Sequence, residues 1–354
     1  MGAFVGVVTS PFLRRRKGRI GKAFTVQRNQ IGVGINDAVS PIACNSLGIL
    51  LVPITDTNGI QRSDNYGITW TNENLGAGPG PNENWIRCRN IYGLNNEKFI
   101  LTGNVFAFLT WWIGSADSLG FGRLYKNEQQ GPDATGLTTE NAVWALDGKL
   151  FAIGMKDRIF AAKPGDTLAN VIQTIIPQGP QSYFLSGCAL DDGSFIFAGT
   201  NTAPLGNSPL VKIYYDYPTQ SIKFSIPTGN FPDTWVNGLV AIGNLVVGIG
   251  KAQGGDTFCL RSVDYGNSFV EVATPVNVDM YSIFRHNGKI IACGEGKIIQ
   301  SYAGLNWTES LDFPVTVGDR IFSACQTPDG PYLIIKKAVD NFKYPLKLHL
   351  PAEI

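Results

Sequence analysis

A segment that joins a tight turn to a buried strand recurs seven times along the chain. Each copy is a short apolar run, and in most copies a two-residue turn signal such as Asp-Gly, Asn-Gly or Gly-Asn stands just before it. Such turns connect antiparallel strands, so each copy predicts a β-hairpin that leads into a buried strand. The copies begin at residues 48, 98, 149, 194, 244, 289 and 331. Their spacing of 42 to 51 residues is typical of a unit of four short strands.

A second motif, Ser-x-Asp-x-Gly followed by an aromatic residue, stands 12 to 18 residues after the start of three of these segments. Residues 262–269 match it closely, residues 63–70 carry Asn in place of Asp, and residues 301–307 are one residue short and lack the acid. In this motif the Asp or Asn side chain bonds backbone amides, Gly takes a positive φ, and the aromatic residue fills the layer beneath. The motif therefore predicts rigid corners between the third and fourth strands of a unit. The predicted corner residues are Ser63, Asn65, Gly67, Trp70, Ser262, Asp264, Gly266, Phe269 and Trp307.

Together the two repeats predict an all-β protein, a seven-bladed β-propeller of four-stranded blades. The 41 Gly and 20 Pro residues suit many short strands and turns, and no helix longer than a turn or two is expected in residues 41–350. Residues 20–354 are predicted to form one domain. Because the seventh unit is short, residues 22–27 are expected to supply its outer strand. Units without the motif are expected to use ordinary turns for the same geometric role, as at residues 215–218.

The Ser-x-Asp-x-Gly corner is known as the Asp box, and its repetition resembles the sialidase-like and photosystem-assembly-factor-like β-propellers, a group that also includes bacteriophage tail proteins. The resemblance covers residues 41–350 and implies corners on the outer rim, away from the axial site. It therefore transfers no catalytic residue. Sialidases of this fold carry an Arg-Ile-Pro string near the chain start. Here the nearest strings begin at Arg158 and Arg320, lack Pro and lie elsewhere, so the chain is predicted not to be an enzyme.

Aromatic residues supply the candidate ligand contacts. Trp111 and Trp112 precede a corner rich in Gly and Ser, and they form a possible ligand platform. Consecutive residues of a strand face opposite sides, so at most one of the two can serve, while the other is expected in the core. Further aromatic residues near the starts of units are Trp85, Trp144, Tyr183 and Trp235.

The first 19 residues have the character of an arm. Residues 3–12 are mildly apolar, and a basic cluster follows them. Two interpretations remain open, a docking arm for a partner or phosphate-rich surface and a solvated tail that folds over the body. The basic residues of the predicted partner-binding arm are Arg14, Arg15, Arg16, Lys17 and Arg19.

Composition narrows the possible partners. The net charge of +1 indicates no specific nucleic-acid partner, and the lack of an apolar run of about 18 residues indicates no membrane insertion. Two histidines and six cysteines without a Cys-x-x-Cys pair predict no metal site and no cofactor. Because several cysteines stand in apolar runs, they are expected to be buried and reduced.

These observations predict a non-enzymatic component of a bacteriophage tail, either structural or receptor-recognising, located in the virion. Its expected partners are other tail proteins within a symmetric assembly, and a host-surface glycan is a further candidate. No secretory signal is expected, since the basic cluster follows the apolar stretch instead of preceding it. The alternatives are a sialidase-like glycoside hydrolase and a soluble glycan-binding propeller.

Overall fold

A computed structural model provides the structure of the chain. The described residues form strands and turns, and none of these segments is helical. The described residues are 42–44, 48–53, 59–65, 67, 69–74, 87–93, 98–105, 108–115, 123–127, 143–146, 150–155, 158–162, 172–175, 184–199, 209–231, 234–252, 255–310, 315, 317–327, 330–336, 338 and 343–347.

Twenty-seven strands lie within these ranges and form seven antiparallel sheets, numbered here in chain order. Sheets 1 to 6 have four strands each, joined in chain order, and sheet 7 has three described strands. Sheet 1 contains β1 (Ala43–Cys44), β2 (Leu50–Pro53), β3 (Gly59–Ser63) and β4 (Thr71–Asn74). Sheet 2 contains β5 (Arg87–Gly93), β6 (Lys98–Val105), β7 (Phe108–Ser115) and β8 (Arg123–Asn127). Sheet 3 contains β9 (Val143–Leu146), β10 (Leu150–Met155), β11 (Arg158–Ala162) and β12 (Ile172–Ile175).

The later sheets follow the same order, which confirms the predicted all-β class and its antiparallel four-stranded units. Sheet 4 contains β13 (Phe184–Ala189), β14 (Phe195–Gly199), β15 (Leu210–Asp216) and β16 (Ser221–Ser225). Sheet 5 contains β17 (Thr234–Ile242), β18 (Leu245–Ala252), β19 (Thr257–Ser262) and β20 (Val270–Glu271). Sheet 6 contains β21 (Met280–His286), β22 (Lys289–Gly294), β23 (Ile298–Ser301) and β24 (Thr308–Glu309), and sheet 7 contains β25 (Arg320–Thr327), β26 (Gly330–Lys336) and β27 (Lys343–Lys347).

The sheets meet through their first strands. Each first strand contacts the first strand of the next sheet, and β25 of the last sheet contacts β1 of the first. The contact between the ends of the chain includes a hydrogen bond of 3.1 Å from Ile42 N to Ser323 Oγ. The same kind of bond joins sheets 4 and 5, where Leu239 N donates to Ser186 Oγ at 2.9 Å. Hydroxyl groups on the first strands thus bind backbone amides of the neighbouring sheet.

Apolar layers between neighbouring sheets form the core. Where their side chains are described, second strands are buried on both faces, as in β14, where all five residues are buried. Between sheets 5 and 6, Val247 and Ile249 pack with Ile283 and Ile290. Burial on both faces explains why the recurrent apolar runs are continuous and do not alternate with polar residues.

The first strands of five sheets share a β-bulge near their beginning. One residue is skipped in the pairing with the second strand, which bends the first strand locally. Opposite the bend, the second strand carries a glycine in sheets 2, 4, 5 and 6. A Cβ on Gly250 would lie 1.7 Å from the carbonyl oxygen of Trp235, and one on Gly294 would lie 2.0 Å from that of Asp279. The skipped residues are Arg89, Leu185, Asn237, Tyr281 and Phe322.

Several sequence predictions fall outside the described residues. These are the arm of residues 1–19, its basic cluster, and the outer strand expected from residues 22–27. The thiols of Cys188, Cys259 and Cys293 are buried, as the sequence predicted. Burial raises the pKa of Cys188 to about 12, so this thiol stays protonated at neutral pH.

Candidate functional site

Antiparallel order gives the sheets two different ends. The end with the turns between first and second strands and between third and fourth strands is called the corner end. The opposite end, where each first strand begins, is called the loop end. The corner residues predicted from the sequence lie at the first of these, and an exposed tryptophan with a set of charged side chains lies at the second.

The corner of sheet 5 is held together by the side chains of Ser262 and Asp264. Ser262 Oγ accepts a hydrogen bond of 2.9 Å from Gly266 N and donates one of 2.6 Å to Asp264 Oδ1. Asp264 Oδ1 also accepts from the amides of Asn267 and Ser268, at 3.0 and 2.9 Å, and Oδ2 accepts from Ser268 Oγ at 2.6 Å. Gly266 has φ of 72°. The carboxylate therefore accepts hydrogen bonds from corner amides that do not pair with a neighbouring strand.

The pKa of Asp264 reflects these bonds. Its partial burial acts to raise the pKa, but the bonds from Ser262 and Ser268 and from the amides of Ser268 and Asn267 outweigh that effect and lower it. The charged carboxylate is thus the form that holds the corner.

The corner of sheet 1 achieves the same arrangement with a neutral amide. Gly67 N donates to Ser63 Oγ at 2.7 Å, and Ser63 Oγ donates to Asn65 Oδ1 at 3.0 Å. Asn65 Oδ1 accepts from Thr69 N at 2.9 Å, while its Nδ2 donates to Thr69 Oγ1 at 2.8 Å. Gly67 has φ of 79°. Asn65 therefore takes the place of Asp in the bonds to Ser63 and Thr69.

Each corner packs against the second strand of the preceding sheet. A Cβ on Gly266 would lie 1.8 Å from Ile196 Cδ1 of β14, and one on Gly304 would lie 2.5 Å from Val247 Cγ2 of β18. At the ends of the chain, Tyr332 OH of β26 donates to the carbonyl of Gly67 at 3.1 Å.

The aromatic residues of the corners fill the same layers. Phe269 packs edge-on against Phe231 with ring centroids 6.4 Å apart, and Trp307 lies in the core between sheets 5 and 6. Trp70 contacts Tyr332 in the same edge-on manner at 6.3 Å. The predicted corner residues thus come together within each corner and do not converge on a common site. Their side chains are occupied with structural bonds and packing.

The loop end carries an exposed aromatic side chain beside an ion pair. Trp235, near the start of β17, is 48% exposed, and its cross-strand partner is Lys251 of β18. Lys251 Nζ lies 2.9 Å from Asp279 Oδ1, just before the first strand of sheet 6. A large indole is therefore exposed next to a charge pair that joins two sheets.

A second polar contact continues this arrangement into sheet 7. Tyr281 OH donates to Glu295 Oε1 at 3.2 Å, and Arg320 Nε lies 2.9 Å from the same oxygen. Burial, together with the carboxylates of Glu295 and Asp279, raises the pKa of Tyr281 above its usual range, so this hydroxyl remains a hydrogen-bond donor.

These six residues are called the loop-end row, which spans three consecutive sheets. Sequence reasoning had named Trp235 as a candidate ligand contact and Arg320 only as part of an Arg-Ile string without Pro. The sequence did contain a signal for two further members. Lys251 and Glu295 directly follow Gly250 and Gly294, the glycines opposite the bulges of β17 and β21. Tyr281 is itself the skipped residue of its bulge. The members of the row are Trp235, Lys251, Asp279, Tyr281, Glu295 and Arg320.

The predicted platform lies elsewhere. Trp111 and Trp112 are consecutive residues of β7, the third strand of sheet 2, and the pairing with β8 shifts register between them. Their side chains lie outside the described part of the structure, so the expectation that only one faces solvent stays a prediction.

Within the described ranges, no group of three His, Cys, Asp or Glu side chains is arranged to hold a metal ion. The same residues include no helix that is long and apolar enough to cross a membrane.

Comparison with known proteins gives structural similarity without sequence similarity. No family model matches the chain, and no curated protein matches it. Among solved structures, YCF48 from Cyanidioschyzon merolae is 13% identical with a TM-score of 0.61, over 91% of this chain and 98% of that one. A streptogramin B lyase structure is 14% identical with a TM-score of 0.62, over 92% and 98%.

A WD40 β-propeller domain of Doa1 is 11% identical with a TM-score of 0.56, over 92% of this chain and 97% of that domain. At these identities the similarity defines the fold and not the activity. The chain has the β-propeller fold.

Proposed function

We propose that the chain is a seven-bladed β-propeller that binds a partner protein through the loop-end row and has no catalytic activity. Seven described sheets, and the contact of β25 with β1, support the blade count. The observation that carries the binding proposal is the half-exposed indole of Trp235 beside charges of both signs. Exposed aromatic residues next to ordered charges are typical of the energetic centres of protein interfaces.

The row suits a protein better than a small apolar ligand. Its two ion pairs, Lys251 with Asp279 and Arg320 with Glu295, are partly exposed and carry both signs. Such a surface selects partners by charge complementarity, while the indole contributes the buried area. A similar solved structure, 10% identical with a TM-score of 0.57, is of YCF48 bound to a D1 peptide. That example supports peptide recognition on this fold by analogy.

Affinity capture with matched variants tests the proposal. Purified full-length chain is used as bait in host lysate, and captured proteins are quantified by mass spectrometry. Trp235→Ala should weaken the binding of a specific partner about 30-fold or more, because loss of a central aromatic side chain costs about 2 kcal/mol or more of binding energy. Tyr302→Ala, which removes a comparably exposed aromatic from the corner end, should leave capture unchanged. Equal capture by wild type and Trp235→Ala would exclude the row as the binding surface.

We further infer that the partner assembly is a bacteriophage tail, with residues 1–19 as the anchoring arm. Support comes from the Asp-box corners, the low charged fraction of 16%, and the apolar and basic halves of the arm. Mass spectrometry of intact particles should find the chain in stoichiometric amounts. Deletion of residues 1–19 should leave the propeller folded and abolish its incorporation. Normal incorporation of the truncated chain would contradict the role of the arm.

The absence of catalytic activity has its own test. Asp264 is engaged in corner bonds, and Arg320 of the Arg-Ile string pairs with Glu295, so both have structural partners. No turnover is expected in a sialidase assay. Binding to a glycan array that persists in Trp235→Ala would instead support the glycan-binding alternative at another surface.

A further inference from the structure

The hairpin of β15 and β16 extends beyond the rest of sheet 4 at the corner end. β15 pairs with β14 only as far as Ile213, opposite Phe195. Its last three residues pair only with β16 among the described strands, up to the pair Asp216 with Ser221. Residues 217–220 form the turn, with Gln220 at φ of 48°. Sheet 4 therefore has a projecting hairpin where sheet 5 has a compact corner.

Exposed apolar side chains lie along this hairpin. Tyr214, Tyr217 and Phe224 belong to its strands and turn, and Ile226 directly follows it; all four are exposed. Tyr217, at the tip of the hairpin, is 64% exposed. Adjacent exposed apolar side chains of this kind are typical of an interaction surface.

One face of the hairpin carries both signs of charge around an exposed aromatic ring. Tyr214 is directly opposite Lys223, and the adjacent pair on the same face is Asp216 with Ser221. Lys223 and Tyr214 are exposed, and Asp216 is half-buried with Oδ2 accepting 2.6 Å from Thr219 Oγ1. The base and the acid therefore lie diagonally across the hairpin from each other, and the tyrosine is next to both.

We propose that this face binds the same face of a second copy of the chain. A two-fold axis that passes beside Tyr214 places Lys223 of each copy opposite Asp216 of the other, with the two tyrosine rings in contact at the centre. A two-fold interface requires a self-complementary surface, and a base and an acid placed diagonally satisfy that requirement. The net charge of +1 gives little overall repulsion between copies.

This surface is separate from the loop-end row. The hairpin lies at the corner end of sheet 4, whereas the row lies at the loop end of sheets 5 to 7. Self-association and partner capture can therefore be measured and lost independently, and failure of one leaves the other intact.

Charge reversal tests the two-fold contact. Sedimentation velocity over a concentration series should show a monomer–dimer equilibrium for the full-length chain. Lys223→Glu alone and Asp216→Lys alone should each weaken self-association about 30-fold or more, because each brings two pairs of like charges together. A 1:1 mixture of the two variants should restore the dimer, since every contact then joins opposite charges.

Arg285→Glu, which reverses an exposed charge on the first strand of sheet 6, is the matched control and should leave the equilibrium unchanged. Circular dichroism of each variant establishes that it is folded. A wild-type chain that is monomeric at all concentrations overturns the proposal, as does a mixture of folded single variants that remains monomeric.

Discussion

The two ends of the sheets use polar side chains in opposite ways. At the corner end, Asp264 and Ser262 bond amides within five residues of themselves, and the corner is buried against the preceding sheet. At the loop end, Lys251 and Arg320 pair with acids of another sheet and remain partly exposed. The corner chemistry is local and can be recognised as a motif. The loop-end chemistry depends on how neighbouring sheets meet, and it leaves side chains available to a partner.

The largest expected effect concerns the bulged first strand at the loop end. Gly250→Ala should destabilise the fold by about 3 kcal/mol or more, because its Cβ would overlap the backbone carbonyl of Trp235, which cannot rotate away. Gly248→Ala, two residues earlier on β18, meets only side chains of Leu239 and Val236 at 3.2 Å. Its cost should be much smaller. Urea unfolding of both variants measures the difference, and equal stabilities would contradict the close approach at the bulge.

The corner end should respond to loss of its carboxylate. Asp264→Ala should lower the free energy of unfolding by about 1–3 kcal/mol, because the amide of Ser268 loses its acceptor and that of Asn267 keeps only a bond of 3.3 Å to the carbonyl of residue 264. Capture of a partner should be unchanged.

Trp235→Ala is the complementary variant. It should weaken capture and leave the unfolding midpoint nearly unchanged, since its indole is half-exposed. Loss of partner capture by a folded Asp264→Ala chain would contradict the assignment of stability to the corner end and of binding to the loop end.

The sequence predicted the features that depend on neighbouring residues. The Asn287-Gly288 turn has φ of 48° and 78°, as a primed two-residue turn requires. Continuous apolar runs predicted the second strands. Several apolar runs end at a glycine, and the structure supplies a cause in the bulges opposite Gly250 and Gly294.

The loop-end row was not predicted because its members come from separate units. Lys251 and Asp279 are 28 residues apart, and Arg320 and Glu295 meet only where sheets 6 and 7 adjoin. Residues 215–218 were expected to form an ordinary turn in the role of the Asp box. The turn that joins β15 to β16 lies at residues 217–220, so it overlaps the predicted residues, while residues 215 and 216 still belong to β15.

A smaller effect is expected where the first and last sheets meet. Ser323→Ala removes the acceptor of Ile42 N, and it should cost about 1–2 kcal/mol. Ser186→Ala removes the equivalent bond to Leu239 N between sheets 4 and 5 and is the matched comparison. Thermal unfolding of both variants shows whether the contact between the chain ends is as strong as an internal one. A loss of stability only in Ser186→Ala would indicate that the bond between sheets 7 and 1 contributes less to stability than the bond between sheets 4 and 5.

The smallest expected effect is the pH dependence of stability that the carboxylate corner of sheet 5 should show and an amide corner, as in sheet 1, should not. The pKa of Asp264 is lowered in the folded chain, so its contribution is present above the unfolded pKa and is lost as pH falls through the folded pKa. Asp264→Asn should cost little at neutral pH, because Asn65 already forms the same corner with an amide. The stability difference between wild type and Asp264→Asn should therefore shrink towards zero in acid, as measured by urea unfolding at pH 7 and pH 3. A difference that stays constant over this range would show that the charge of the Asp264 carboxylate contributes nothing to the corner.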